Sequence, residues 1–245
     1  MQIRIPMRLR KIKDSGKKKL FVIPYIFTFA NACFGLLAVL YAWDDLYKNA
    51  ALCIVCSACA DALDGRLARL FNSCSPLGME LDSLCDAISF CFAPAILMYG
   101  SFLHRYGVLG IIVSGIYLCA GLFRLAKFNN SSCQQKIFFI GLSTPVSAIF
   151  FAMLILYEPW LLHTFCGPYV PYVVLVLALV FAYLMVSRVK FPTFKAGFHG
   201  HALTRISGIV VLVAAIASVV FHKPIALSVC SAYIVTSLVY YFLCE

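Results

Sequence analysis

Charge is scarce in this chain. Only 12% of its 245 residues are Asp, Glu, Lys or Arg, where about a quarter is usual in soluble domains. With 63% hydrophobic residues and a mean hydropathy of +0.94, a water-soluble fold could not hide its apolar surface, so the bilayer is the natural solvent. No stretch is long and polar enough for a separate soluble domain, and there is neither a tandem repeat nor a low-complexity linker. The alternating strands of about ten residues that a closed barrel needs are missing, which leaves helices as the spanning element. A small-residue cleavage site after a short apolar core is missing too. The apolar run after Lys19 has full membrane length, so no cleavable signal peptide is expected.

What is present is a series of apolar runs, each near the roughly 20 residues that cross a bilayer. Eight spans are expected, at about 20–42, 46–70, 82–103, 107–126, 136–157, 168–187, 204–221 and 224–243. They make one all-α domain over 20–245, a polytopic transmembrane bundle. The preceding segment, 1–19, holds Arg4, Arg8, Arg10, Lys11, Lys13, Lys17, Lys18 and Lys19 against Asp14, with Ile3, Ile5, Met7, Leu9 and Ile12 between them. Such a segment serves as a positive cytoplasmic flank and as an interfacial helix on anionic lipid; the same charges support both. No nucleic-acid partner is expected.

Basic residues orient the spans. With the N-terminus in the cytoplasm, seventeen of the 20 Lys and Arg fall on the cytoplasmic side, and only Lys48, Arg105 and Lys223 fall outside. An even span count returns the C-terminus to the cytoplasm. Of the twelve cysteines, most, including Cys53, Cys56, Cys59, Cys85, Cys91, Cys119 and Cys230, lie within apolar runs. There they read as small packing residues rather than metal ligands or disulfides. Only Cys166 falls in an exterior loop, without an obvious exterior partner.

Half of the ten acidic residues fall between positions 61 and 86: Asp61, Asp64, Glu80, Asp82 and Asp86. Carboxylates near apolar helices cost several kcal/mol unless paired or bound, so function is the default reading. Asp61 and Asp64 share a helix face at i, i+3, and Asp82 and Asp86 share one at i, i+4. A short polar turn, Asn72 to Pro76, makes the two helices antiparallel neighbours, so the four acids can converge in one cleft. Converging carboxylates need positive charge between them. An all-oxygen set suits Mg²⁺, Mn²⁺ or Ca²⁺, and two such ions form a clamp for displacement at phosphorus. Gly65 and Ala68 leave space beside the acids, and Arg69 can hold phosphate oxygens. A buried salt-bridge network with Arg66 and Arg69 is disfavoured because acids outnumber bases. A divalent-cation transporter is disfavoured because no polar path continues across the bilayer.

Residues 61–86, DALDGRLARLFNSCSPLGMELDSLCD, resemble the signature D-x2-D-G-x2-A-R-x8-G-x3-D-x3-D of the CDP-alcohol phosphatidyltransferases. Asp61, Asp64, Gly65, Ala68, Arg69, Gly78, Asp82 and Asp86 match every fixed position. The resemblance implies a six-helix catalytic core, often dimeric, with two divalent metals, and transfer of a substituted phosphate from a CDP-linked donor to an alcohol. It implies metal binding by Asp61, Asp64 and Asp82, with Asp86 as general base beside a metal. It implies room for the CDP moiety at Gly65, Ala68 and Gly78, phosphate binding at Arg69, and a donor-side hydroxyl at Ser75.

Further stretches are similar to the phosphatidylserine synthase branch. Pro24, Thr28, Asn31 and Gly35 fit its first helix; Ser89-Phe90, Ala93-Pro94-Ala95, Arg124 to Asn129, Gly141 to Pro145, Leu184 to Ser187 and Phe194-Lys195 fit later segments. The resemblance covers about 20–195. Tyr25, Lys127 and Ser143 depart from the branch's usual Asn, Arg and Pro. What it implies is CDP-diacylglycerol as donor, with Thr28 and Asn31 on the donor side, and L-serine as acceptor. Arg124, Lys127, Asn129, Ser143 and Thr144 become hosts for the serine carboxylate or a donor phosphate. Lys127 serves equally as a positive flank, and Ser143 and Thr144 equally as backbone partners beside Pro145. His199 and His201 read as part of a solvated loop. The same fold with glycerol 3-phosphate or an inositol phosphate as acceptor is the alternative; it would want extra arginines near the acids. A homodimer with a cytoplasm-facing site is expected.

Overall fold

The computed structural model describes residues 7–70, 76–130, 141–158, 169–187, 203–221 and 227–232; side chains at 7–24, 68, 69 and 203–209 are not described. The described residues form an all-helical bundle. Its helices are α1 (Met7–Trp43), α2 (Tyr47–Leu70), α3 (Pro76–Asp86), α4 (Ala93–Ser101), α5 (Val108–Asn130), α6 (Thr144–Leu156), α7 (Val170–Val186) and α8 (Leu203–Phe221). A π-helical segment, Ala87–Phe92, joins α3 to α4, and a 3₁₀ turn, Leu103–Tyr106, leads into α5. Residues 227–232 are also helical.

Among the described residues, three stretches are long and apolar enough to cross a membrane: Tyr25–Trp43, Pro76–Ser101 and Val108–Asn130. They mark an integral membrane protein. Thr144–Leu156, Val170–Val186 and Val210–Phe221 are shorter apolar helices. Large apolar side chains remain exposed on the outer faces, among them Ile26, Leu36 and Leu40 on α1, Ile111 and Ile112 on α5, and Val176 and Val180 on α7. Lipid rather than water is the solvent that suits such faces.

Several boundaries differ from those expected. The first span is part of one continuous 37-residue helix that reaches back to Met7, through most of the basic segment. The third starts at Pro76 rather than at 82, because proline is tolerated in a first helical turn, where its missing N–H is no loss. Pro76, expected in the turn, is therefore helical; 71–75 lie outside the described residues. Within the run expected at 136–157, residues 141–143 are non-helical and the helix begins at Thr144; 136–140 are not described. Gly141 has a left-handed φ of 87°, Ser143 caps the helix and Pro145 sits in its first turn. Residues 131–140, most of the run at 224–243, Cys166, His199 and His201 lie outside the described residues.

Inside a bilayer apolar surface alone gives helices little reason to associate, so close packing and internal hydrogen bonds decide the fold. α1 and α2 form the most extensive pair. Both present buried alanines, Ala38 and Ala42 on one, Ala50, Ala51 and Ala58 on the other, small enough for backbones to approach. Deeper in the bundle Tyr117, Phe150, Phe151 and Phe181 pack ring against ring at centroid distances of 4.7–5.5 Å. The Tyr117 hydroxyl is satisfied by Ser147 Oγ at 2.7 Å. The eight cysteines among the described residues are all free.

The π segment follows from Pro94. A proline in a continuing helix cannot donate to the carbonyl four residues back, and its ring crowds that carbonyl. The turn before it widens, and the Ala93 N–H reaches Ile88 O, five residues back. This widened turn starts immediately after Asp86. It is held on one side by Ser89, whose Oγ donates to Asn31 O of α1 at 2.9 Å. On the other side Cys91 packs onto Gly121 of α5, where a Cβ would stand 2.6 Å from its Sγ.

Candidate active site

The four aspartates of the motif come from two adjacent helix segments. Asp61 and Asp64 lie in the C-terminal half of α2, and Asp82 and Asp86 in α3. Carboxylate oxygens of Asp61, Asp82 and Asp86 all lie within 4.8 Å of one another, and all three residues are half-buried. That spacing lets one cation touch all three; without one, three like charges would repel in a medium that screens poorly. The donor set is oxygen only, so the group fits a hard divalent ion. The cluster could hold a metal ion.

Asp64 stands outside this triplet. It is buried, 6% exposed, and accepts a hydrogen bond from the Thr28 hydroxyl of α1. Asn31, one turn along α1, is fully buried; its Nδ2 donates to Asp86 Oδ1 at 3.0 Å. Thr28 and Asn31, expected on the donor side, thus each hold one of the acids. Ser57 of α2 donates in turn to Asn31 Oδ1. Sequence reasoning passed over Ser57 and Ser83; the one available signal was the spacing of Ser57 from Asp61, i to i+4 on the same helix face.

α5 and α6 close the site from the other side. Arg124 is 8% exposed, and its charge acts on Asp86. Its Nη1 donates to Thr144 Oγ1 at 3.3 Å. A short chain of local events places Thr144 there. A Cβ at Gly141 would stand 2.6 Å from Met185 O, so only glycine suits this positive-φ approach to α7. The Leu142 N–H then donates to Leu184 O at 3.1 Å. Ser143 caps α6 by accepting from Val146 N–H at 3.4 Å, its backbone extended as a cap requires. Of the two readings left open for Ser143, the backbone one is what the geometry displays.

Asn129 Oδ1 accepts from Ser83 Oγ at 2.9 Å; Ser83 also reaches Met79 O at 3.1 Å. This bond ties α3 to the end of α5. Lys127 is exposed on the last turn of α5. Gly65 and Gly78 are half-buried beside the acids. Ala68 and Arg69 lie on α2, but their side chains, and all of Ser75, fall outside the described residues. At the opposite end of the bundle, Glu158 follows α6. Burial pushes its carboxyl above the ordinary range, and Arg105 and Lys48 counteract this in part.

Comparison with known proteins finds relatives over most of the chain. A relative from Helicobacter pylori (strain ATCC 700392 / 26695) is 32% identical over 177 residues, which cover 72% of this chain and 74% of the relative. One from Bacillus subtilis (strain 168) is 34% identical over 175 residues, 71% of this chain and 91% of the relative. One from Methanocaldococcus jannaschii is 33% identical over 178 residues, 72% and 77% respectively. Each of the three is named CDP-diacylglycerol–serine O-phosphatidyltransferase. A family model described as CDP-alcohol phosphatidyltransferase matches residues 21–241, from α1 past α8 and across every helix that supplies the site. The paired aspartates of α2 and α3 are therefore not an isolated motif, and the chain belongs to the CDP-alcohol phosphatidyltransferase family.

Proposed function

We propose that this transferase moves the phosphatidyl group of CDP-diacylglycerol to the hydroxyl of L-serine, giving phosphatidylserine and CMP. The observation that carries the reading is the convergence of Asp61, Asp82 and Asp86 in a chain about one-third identical to relatives named for that transfer. Those relatives favour serine over glycerol 3-phosphate or an inositol phosphate.

Asp61, Asp82 and Asp86 would hold a divalent cation, Mg²⁺ or Mn²⁺ by donor type, with Asp64 joining them if two ions bind. When bound, such ions neutralise the donor diphosphate and stabilise charge developing at phosphorus. The protein's own residues do the rest. Serine's hydroxyl is a poor nucleophile at neutral pH, so Asp86 takes its proton. The serine oxygen attacks the phosphorus that bears diacylglycerol, the bond from that phosphorus to the CMP oxygen breaks, and CMP leaves. Gly65, Ala68 and Gly78 make room for the CDP moiety; Arg69 and Ser75 meet its phosphates. Arg124 supplies fixed positive charge beside Asp86, and Lys127, at the exposed end of α5, offers a looser contact for an anionic group.

In the same reading the chain crosses the membrane eight times. The site and both termini face the cytoplasm, the basic residues of 1–19 meet the anionic headgroups of the inner leaflet, and two copies form a dimer. The lopsided distribution of Lys and Arg supports this orientation.

Labelled serine supplied to membranes that contain this chain tests the function. Label should enter chloroform-extractable phosphatidylserine only when CDP-diacylglycerol and a divalent ion are present. Label that stays in the aqueous phase, while labelled glycerol 3-phosphate enters lipid, would replace serine by that acceptor.

A further inference from the structure

Asn31 is wholly buried and is held at three points outside its own helix. Its Nδ2 donates to Asp86 Oδ1 at 3.0 Å, its Oδ1 accepts from Ser57 Oγ, and its backbone oxygen accepts from Ser89 Oγ at 2.9 Å. The chemistry of the groups fixes the direction of this chain. A carboxylate only accepts, so the NH₂ end of the amide must face Asp86 and the oxygen end must face Ser57. Ser57 must then donate. If the amide flipped, its oxygen would lie against the Asp86 carboxylate, a repulsive contact.

Ser57 is itself fully buried. It stands one turn before Asp61 and two turns before Asp64 on the same face of α2. The antiparallel α1 meets that face twice, Thr28 at Asp64 and Asn31 at Ser57. α1 therefore reads the register of α2 through one pair and sets Asp86 of α3 through the other.

We propose that Ser57 is a positioning residue for phosphatidyl transfer, acting through Asn31 to fix the angle of the Asp86 carboxylate. The inference rests on Asp86 being the base. With Oδ1 engaged by Asn31, the plane of the Asp86 carboxylate is set toward the cation cluster and the acceptor hydroxyl together. A base turned from that orientation costs rate in the chemical step more than it costs binding.

The test uses the full-length chain purified in detergent, with CDP-diacylglycerol, serine and Mn²⁺. Ser57→Ala should lower kcat about tenfold, the scale of one buried hydrogen bond, and leave both KM values within about twofold. Ser57→Thr, which keeps the donor, should regain most of the rate. The double variant Ser57→Ala/Asn31→Ala should be no slower than Asn31→Ala alone, because Ser57 acts only through the amide. A rise in KM without a fall in kcat, an unchanged kcat, or additive losses in the double variant would each overturn the proposal. If Asn31→Ala does not fold, the kcat and KM values of Ser57→Ala and Ser57→Thr decide. Wild-type-like Ser57→Ala beside inactive Asp86→Asn would sink this inference and leave the function intact. An active Asp86→Asn would instead remove the reading beneath it.

Discussion

The Arg124 guanidinium, in the last turns of α5, donates to the hydroxyl of Thr144, the first residue of α6, at 3.3 Å. Both side chains are buried, so a full positive charge is held inside the bundle beside Asp86. Such a charge is retained where it meets negative charge on the protein, the substrate or both. Arg124→Ala is expected to lose activity on the order of a hundredfold, the scale of one electrostatic stabiliser. Arg124→Lys should recover only part, because the planar fork is gone. Thr144→Val should cost far less. Steady-state rates at saturating substrates check all three, and equal losses for Arg124→Lys and Arg124→Ala would show that geometry rather than charge is what counts.

The Ser83–Asn129 bond at 2.9 Å gives a second expectation. If its work is to tie α3 to α5, Ser83→Ala and Asn129→Ala should each slow the reaction by about three- to tenfold, and the double variant should match either one. A selective rise in the serine KM for Asn129→Ala alone would show that Asn129 also touches the acceptor.

Much of this arrangement was legible in the sequence. The spacing of Asp61, Asp64, Asp82 and Asp86 states which helix faces they share, and one short turn makes those faces neighbours. The partners of Thr28, Asn31 and Ser57 were not legible. Each pairs with a residue between 26 and 55 positions away, and such pairing depends on the register between helices, which hydropathy does not encode. Helix ends were hidden for a related reason. A hydropathy run averages over Gly141, Ser143 and Pro145, whereas backbone conformation and capping at those three residues decide where α6 begins. The π turn after Asp86 was foreshadowed only by Pro94.

Metal removal should separate charge repulsion from catalysis. Asp61, Asp82 and Asp86 repel one another when no cation lies between them. Asp82→Asn should therefore raise the melting temperature of the chelator-treated protein while abolishing the further rise that Mn²⁺ gives the wild type. Activity should vanish with chelator and with the variant alike. A variant that Mn²⁺ still stabilises to the wild-type extent would remove Asp82 from the metal site.

Gly121 tests the seat of the π segment. A Cβ there would come within 2.6 Å of Cys91 Sγ, so Gly121→Ala should destabilise by about 1–3 kcal/mol through overpacking. The shift it forces begins five residues after Asp86, so activity should fall as well. Cys91→Ala removes the obstructing sulfur and should restore stability when combined with Gly121→Ala. Thermal unfolding in detergent measures both effects, and a double variant no better than Gly121→Ala would mean the strain lies elsewhere.

The central claim is that the acidic cleft transfers a phosphatidyl group to serine. CMP release by the purified protein with CDP-diacylglycerol and Mn²⁺ tests it most directly, with L-serine, glycerol 3-phosphate or myo-inositol phosphate as acceptor and Asp86→Asn as control. The account predicts release that depends on serine and disappears in the variant. Release with glycerol 3-phosphate or the inositol phosphate but not serine, or release undiminished by Asp86→Asn, would contradict it.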